Sequence, residues 1–575
     1  MPSLDWIGKA SILNHHNEIP YRLVECNEVV GDLNAGNLIV KGDNLHALKA
    51  LLPYYKGKVK LIYIDPPYNT GNSSWVYNDA MNAPEIKAWL DKTVDSNDLS
   101  RSDKWLCMMY PRLKLLQEFL SEDGAIFVSI DDAEAGHLRL ILDNVFGAKN
   151  FVANVIWEKK YSPANDAKWL SDSHDHIFIY GKNKEIWRPN LLERSEKQNQ
   201  YYKYDDNDGR GPWRSDNVLV KTFSSSGVFA IKNPNTGVEY FPPKGSCYRF
   251  SESTAIRMLE ENRFYFGKDG TGAPQLKRFL SEVKDGVTSK TIWFRDEVGD
   301  NQEAKLESNQ ILGQNLFDTP KPTRLISRIL EIATDKDDII MDSFAGSGTT
   351  AHAVLEQNAM DGGNRKFVLV EMEEYAKDIT AERIRRVIKG YDYTGKDKKT
   401  LLEKKLSTAQ ILSADKMAEI AEDAQAIIDD NSSKYDKIDK EFKDNTLKII
   451  GVKNITERKE GIGGGFRYCE LGEPIKDENG ALNPEVSAEA LAKHLFFSEY
   501  GVPLEIKATL PYIGSFNESG LYLFFDTFER KKLAKLLKDS NESRIVYAAS
   551  CTIDPQKLKD AGITFRQLPF EIKDR

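Results

Sequence analysis

The sequence predicts an open α/β sheet of mainly parallel strands, interrupted by an insert of different texture and followed by a smaller α/β segment. Three observations carry this. Leu61-Ile62-Tyr63-Ile64 is a short apolar run that stops at Asp65-Pro66-Pro67, as a buried strand does where its ladder cannot continue. Asp338 to Thr350 reads as a strand, a glycine-rich turn and the start of a helix, and Lys366 to Glu371 as a further strand ending in an acid. Between these halves, residues 158 to about 310 are polar and turn-rich without a sustained period.

With 575 residues the chain has room for roughly two to five domains, and 41% hydrophobic content is ordinary for a globular protein. No apolar run approaches the ~18 residues of a membrane helix. The start, Met1 to Trp6, lacks the basic-then-apolar pattern of a signal peptide. Five scattered cysteines, Cys26, Cys107, Cys247, Cys469 and Cys551, show no Cys-x-x-Cys spacing, which predicts a reducing cytoplasm with neither a disulfide framework nor a zinc site. A net charge of −9 offers nucleic acid no general attraction, although one basic face can coexist with acidic helices elsewhere.

Taken in order, residues 1–36 form an extension with a turn at Asn34-Ala35-Gly36. Asn37 to Val40 is a short strand that turns at Gly42 into a helix capped by Asp43 or Asn44. After strand 59–64, residues 72–104 read as a polar loop, and 105–120 as an amphipathic helix around Leu106, Met109, Leu113 and Leu116. Gly124 to Ile130 is a buried strand. The acids of Asp131-Asp132-Ala133-Glu134 fit a helix N-terminus, where they complement the dipole, better than a metal site. Two more strands follow, Phe151 to Trp157 and His176 to Tyr180. His174 and His176 share one strand face, but no carboxylate or cysteine stands at ligand spacing nearby, so they read as structural and no metal is expected.

Residues 157–310 hold 24 Lys and Arg against 23 Asp and Glu, with aromatics interleaved, as in Tyr201-Tyr202-Lys203-Tyr204, Arg210-Gly211-Pro212-Trp213-Arg214 and Lys290-Thr291-Ile292-Trp293-Phe294-Arg295. Such stretches stack bases and contact phosphates, or equally fill the core of a small β-rich domain. Composition does not decide between the two. Residues 400–445 carry helical apolar spacing among Lys, Glu and Asp, which predicts one or two exposed helices or a linker. Gly461 to Gly465 reads as a hinge before the strand Phe466 to Leu471, and alternating helix and strand patterns from 485 onward predict a small α/β domain.

The chemistry is written at the two strand tips. In open α/β sheets ligands bind at the carboxyl ends of the strands, which makes Asp65-Pro66-Pro67-Tyr68 a site candidate. An exocyclic amine on a purine has its lone pair delocalised into the ring. The Asp65 carboxylate and the Pro66 carbonyl can each accept one amino hydrogen and pull that nitrogen toward tetrahedral geometry, while Tyr68 stacks on a base taken out of the duplex. In the second half, the turn through Phe344, Gly346, Ser347, Gly348 and Thr349 suits close approach of an adenosine-containing cofactor, and Glu371, some twenty residues on, suits its ribose hydroxyls. The turn lacks the lysine of a triphosphate-binding loop. S-adenosyl-L-methionine carries no phosphate and supplies an electrophilic methyl for an amine held by Asp65.

These residues, in this order, resemble the DNA amino-methyltransferases of the permuted β class, and more narrowly the modification (Mod) subunits of type III restriction-modification systems. The narrower resemblance rests on Gly42-Asp43-Asn44-Leu45, Tyr63 to Gly71, Met109-Tyr110-Pro111-Arg112-Leu113, Asp131 to Glu134, Thr319-Pro320-Lys321-Pro322, Phe344 to Thr350 and Gly464-Gly465-Phe466-Arg467-Tyr468. It implies a permuted Rossmann-like methyltransferase sheet: an extension at 1–36, a catalytic half at 37–180, a target-recognition domain at 181–312, a cofactor half at 313–395, a helical linker at 396–460 and a C-terminal α/β domain at 461–575 for dimer or partner contacts. Asp65, Pro66, Pro67 and Tyr68 would hold the target adenine. Asp342, Phe344, Gly346 and Ser347 would line the methionine side of the cofactor, Glu371 its ribose, Asp43 its adenine and Lys321 its carboxylate end, with Asn44, Gly348 and Thr349 also in the cofactor site. The resemblance further implies N6-methylation of adenine in double-stranded DNA, a homodimer and a separate restriction subunit with helicase and nuclease activities. A stand-alone methyltransferase, a DNA-reading scaffold docking its partner through 400–575, and methylation of RNA or a protein amide are the competing readings.

Overall fold

The computed structural model describes residues 4–32, 34–69, 101–163, 167–194, 196–283, 286–443, 445–477, 479–539 and 543–569. The loop expected at 72–104 and the Thr70-Gly71 end of the first motif lie outside these residues, apart from 101–104, which open the helix Arg101–Phe119. The chain divides into two compact units, one of residues 1–188 with 290–575 and one of Pro189–Ser289.

The larger unit is built on a ten-stranded sheet in the order Arg22–Gly31, Gly465–Pro474, Leu38–Lys41, Lys366–Glu371, Ile339–Asp342, Val59–Ile64, Leu120–Ile130, His174–Gly181, Phe151–Glu158 and Ile292–Trp293. From Gly465–Pro474 to Leu120–Ile130 every neighbouring pair is parallel. Antiparallel pairs flank this stretch on both sides. The central parallel strands carry apolar runs because both faces are covered there: Ile39, Val40, Leu61, Ile62, Ile64, Ile340, Met341, Val368 and Val370 are all fully buried.

The helix Thr323–Ala333 buries Leu325, Ile326, Ile329 and Leu330, the spacing of a helix lying on a sheet. Arg101–Phe119 buries Leu106, Met109, Leu113 and Leu116, as its sequence predicts. One continuous core joins Arg101–Phe119 to Leu491, Leu495 and Phe496 of the helix Ala488–Tyr500 and to Leu521, Leu523 and Tyr547. The C-terminal α/β segment therefore shares the main core, and its four strands form a sheet with one antiparallel and two parallel pairs.

Two expectations are corrected and one open reading is narrowed. Residues 396–460 are not mainly helical: only Ala414–Asn431 forms a long helix, packed beside the antiparallel strands Gly390–Lys405, Thr446–Glu460 and Lys437–Lys443. Of the interleaved aromatic stretches, whose role composition leaves open, Lys290 to Arg295 buries Trp293, which pairs with Trp157 at the edge of the main sheet. Cys26 and Cys469, in a chain expected to carry no disulfide framework, form a disulfide across the antiparallel pair Arg22–Gly31 and Gly465–Pro474; a separation of 443 residues hides the pairing from any local spacing rule.

The smaller unit, inside the expected 181–312, uses its aromatics as core. Trp213, Phe229, Tyr248, Phe264, Phe266 and Phe279 are buried, and Tyr204 stacks on Trp213 with centroids 4.7 Å apart. Much of its basic charge is paired internally, as in Lys277 with Asp206 at 2.6 Å and Arg278 with Asp216 at 3.1 Å. Tyr201, Phe223 and Phe241 remain exposed.

Candidate active site

The strands Val59–Ile64 and Ile339–Asp342 are parallel neighbours, with Ile340 opposite Leu61 and Met341 opposite Ile62. Each next pairs outward, with Leu120–Ile130 on one side and Lys366–Glu371 on the other, so the sheet's winding reverses between them. This is the switch point at which open α/β sheets bind ligands. The Asp65 loop and the glycine loop leave it side by side. Lys321 bridges the two predicted motifs, its ammonium on Asp65 and its backbone carbonyl on the Thr349 hydroxyl.

On the catalytic side, Oδ1 of Asp65 accepts from the Tyr68 hydroxyl at 2.8 Å and Oδ2 accepts from the Lys321 ammonium. The same ammonium lies 5.0 Å from the centroid of the Tyr68 ring. Lys321, expected at the cofactor's carboxylate end, thus reaches the Asp65 carboxylate, while its backbone carbonyl accepts from the Thr349 hydroxyl at 3.2 Å. Pro67 gives its carbonyl to the indole N–H of Trp105 at 2.7 Å. Asn69, in the left-handed region with φ 59°, donates to the buried Glu134 at 2.6 Å. Glu134 is more than an acid at a helix start: it also accepts from Ser102 and faces His137 at 2.8 Å, and so anchors the end of the loop.

Two further groups belong to this side. The Tyr68 hydroxyl lies 3.3 Å from Oδ2 of Asp175, which is buried and whose other oxygen accepts from Lys159 at 2.7 Å. Burial pushes the Asp175 carboxyl up, against the pull of Lys321 and Lys159. Nothing local in the sequence marks Asp175 or Lys159. The only signal is alternation along the strand His174–Gly181, which sends Asp175 to the face opposite His174 and His176.

On the cofactor side, Asp342 is buried, accepts from the Phe344 amide at 3.0 Å and the Thr350 hydroxyl at 2.5 Å, and is pushed up to about 7 by burial, with Asp65 and Glu371 adding repulsion. Glu371 accepts from the Gly346 amide at 2.7 Å and the Glu373 amide at 3.0 Å, and burial likewise pushes it up to about 7. The Gly42 amide donates to the Glu371 carbonyl at 3.1 Å, bringing the Asp43 turn alongside. Asp43 caps the helix Asn44–Tyr55 through the His46 amide at 3.0 Å, and a cleft of about 410 Å³ opens beside it, lined by Arg22, Lys41, Gly42, His46 and Glu470 among others.

Ser347 and Thr349 differ from expectation. Their hydroxyls lie 3.1 and 3.0 Å from the fully buried guanidinium of Arg383, on the protein side of the loop. Arg383 also reaches Glu307, Thr323 and His352 at 3.1–3.2 Å, so a polar network beneath the glycine turn fixes its shape. The sequence gives Arg383 only as one basic residue in a charged helix.

A cofactor with cationic and hydroxyl groups fits the remaining donors and acceptors. Among the described residues, Asn44 Oδ1 and Ser343 Oγ are buried beside this turn without a hydrogen-bond partner, and the Asn44 amide nitrogen already contacts the Ser343 carbonyl. Two buried carboxyl groups held partly protonated gain most from a neighbouring cation or hydroxyl donor.

Comparison with known proteins follows the same outline. Residues 59–382, more than half of the chain, match the family model described as DNA methylase. The StyLTI Mod subunit of a type III restriction-modification enzyme from Salmonella typhimurium is 36% identical over 387 residues, 64% of this chain and 58% of that one. The EcoPI Mod subunit of Escherichia phage P1 is 30% identical over 446 residues, covering 67% of this chain and 68% of that one. The type II methyltransferase M.KpnI of Klebsiella pneumoniae is 31% identical over 57% of this chain and 79% of its own length. The match to the StyLTI subunit spans somewhat under three fifths of that protein. Among the described residues no helix is long and apolar enough to cross a membrane. The chain belongs to the family of DNA methylases that includes the type III Mod subunits.

Proposed function

We propose that this chain is a site-specific DNA adenine-N6 methyltransferase dependent on S-adenosyl-L-methionine, acting as the modification and recognition subunit of a type III restriction-modification system. The observation that carries this reading is the adjacency of Asp65 and the Gly346 turn on neighbouring parallel strands. Bound beside that turn, the cofactor supplies a methyl on a positively charged sulfur.

The chain's own residues do the rest. Glu371 takes the ribose hydroxyls, Asp342, Asn44 and Phe344 face the remainder of the cofactor, and Asp43 lies toward its adenine. A target adenine extruded from the duplex stacks on Tyr68 and presents N6 to Asp65 and the Pro66 carbonyl. Both oxygens of Asp65 already hold donors, Tyr68 and Lys321, so the amino group replaces one of them. Asp65 then orients the N6 lone pair and receives, or passes to solvent, the proton lost on transfer. Orientation and exclusion of water supply most of the acceleration.

The unit Pro189–Ser289 is assigned to target reading, and the C-terminal segments to contacts with a second copy and with a restriction subunit in the cytoplasm. Incubation with methyl-labelled cofactor and mixed-sequence duplex DNA tests the reading. Label in N6-methyladenine is expected; label confined to RNA or protein, or none from a folded, cofactor-binding chain, overturns it.

A further inference from the structure

The strand His174–Gly181 sends Asp175 to the catalytic side and His174 and His176 to the other face, their ring centroids 5.1 Å apart. The neighbouring antiparallel strand ends at Ile130, opposite His176. The turn after it delivers the carboxylate that local sequence spacing does not show. Oδ1 of Asp132 lies 2.9 Å from Nε2 of His176 and 3.9 Å from Nε2 of His174, and one donor atom from each of the three residues falls within 4.8 Å of the others. Donors about 2.0–2.1 Å from a tetrahedral ion stand roughly 3.3 Å apart, a value these two distances bracket.

The surroundings also suit an ion. The Asn154 amide lies 3.0–3.3 Å from Nδ1 of His176; its oxygen, placed there, accepts the Nδ1 proton and leaves the Nε2 lone pair facing Asp132. Asp172 stands 3.8 Å from Nδ1 of His174 in the corresponding position. His176 is mostly buried and Asp132 exposed, so one side of the cluster opens to solvent, leaving coordination positions for water. A simple Asp132–His176 hydrogen bond accounts for one edge of the triangle but gives no reason for His174 to converge on the same oxygen.

We propose that Asp132, His174 and His176 form a binding site for one divalent transition-metal ion such as Zn²⁺. Two imidazoles and one carboxylate select against Mg²⁺ and Ca²⁺, which prefer oxygen ligands throughout. The ion ties together the two elements that flank the Asp65 loop: the turn whose Glu134 anchors Asn69, and the strand whose Asp175 meets Tyr68. It acts as a clamp on that loop and takes no part in the reaction, so the proposal stands apart from the methyl-transfer reading.

Calorimetric titration of the chelator-treated full chain with Zn²⁺ tests it. One saturable site per chain is expected, unaffected by millimolar Mg²⁺. His174→Gln and His176→Gln should each weaken it by at least tenfold, and Asn154→Ala by about tenfold, in the range of a lost outer hydrogen bond to a ligand. Cys551→Ser, which removes a partly accessible thiol, should leave it unchanged. Far-UV circular dichroism of each variant without metal establishes that it is folded. Absence of a one-to-one site in the wild-type chain, persistence in a folded His174→Gln/His176→Gln chain, or loss in Cys551→Ser overturns the proposal.

Discussion

The hydroxyl of Tyr68 sits 2.8 Å from Asp65 and 3.3 Å from Asp175, between a carboxylate three residues earlier and another 107 residues later. The first follows the strand Val59–Ile64 and the second is on a strand two places along the sheet, so Tyr68 ties the Asp65 loop to a more distant part of the scaffold. With burial and two neighbouring carboxylates pushing its pKa well up, the phenol stays protonated and acts only as a donor toward them.

Asp175→Asn should keep an acceptor near Tyr68 while halving the charge that holds Lys159, which retains Asp172 at 2.8 Å. The expected result is a lowered kcat with cofactor affinity within a few-fold. Asp175→Ala should also cost stability, about 3 kcal/mol, since it leaves a buried ammonium with a half-exposed partner. Urea denaturation alongside steady-state methyl transfer measures both.

Gly348→Ala should weaken the cofactor turn more than Gly346→Ala. Both positions are left-handed, φ 81° and 52°, which costs a residue with a Cβ about 1–2 kcal/mol. At Gly348 the added carbon also meets the backbone oxygen of Thr380 at 3.1 Å, whereas at Gly346 it meets the tip of Phe317 at 3.3 Å. Thermal melts with and without cofactor rank the two.

Arg383→Met should destabilise the chain by about 3–5 kcal/mol and abolish cofactor binding at ordinary concentrations, because Glu307, Thr323, Ser347 and Thr349 all lose the same buried donor. Arg383→Lys recovers charge without the fork and should recover only part of the loss. Chemical denaturation and equilibrium cofactor binding check this.

The buried carboxyls set a pH dependence. Burial raises Asp342 from 3.8 and Glu371 from 4.5 to about 7, so between about pH 4.5 and 7 the unfolded chain binds fewer protons than the folded one. Their contribution to stability is therefore greatest below that window and falls as pH rises through it. The cofactor-free chain should melt at lower temperature at pH 8 than at pH 5.5, and Asp342→Asn should flatten the slope. A cation and hydroxyl donors favour the ionised acids, so cofactor affinity should rise between pH 6 and 8.

What the sequence made legible was local. Asp65 to Tyr68 and Asp342 to Thr350 are contiguous, and a strand that stops at a proline pair or a glycine turn announces its own end. Lys159, Asp175, Glu307 and Arg383 enter through contacts made by distant elements and carry no such punctuation. Asp132 joins His176 across a strand pair, and Cys26 meets Cys469 the same way. Residues 396–460 mislead for a related reason: dense Lys and Glu favour a helix locally, whereas the long pairing of Gly390–Lys405 with Thr446–Glu460 is decided between segments. In the insert, composition left two readings of the aromatics, and burial of Trp213, Tyr248 and Phe264 assigns many of them to the core.

In the proposed mechanism the acid at one strand tip and the glycine turn at the next serve a single reaction. Cofactor affinity and methyl transfer to duplex DNA, measured together on Asp65→Ala, test it most directly. Transfer should disappear while cofactor affinity stays within a few-fold of the unsubstituted chain; undiminished transfer, or loss of both in equal measure, would contradict it.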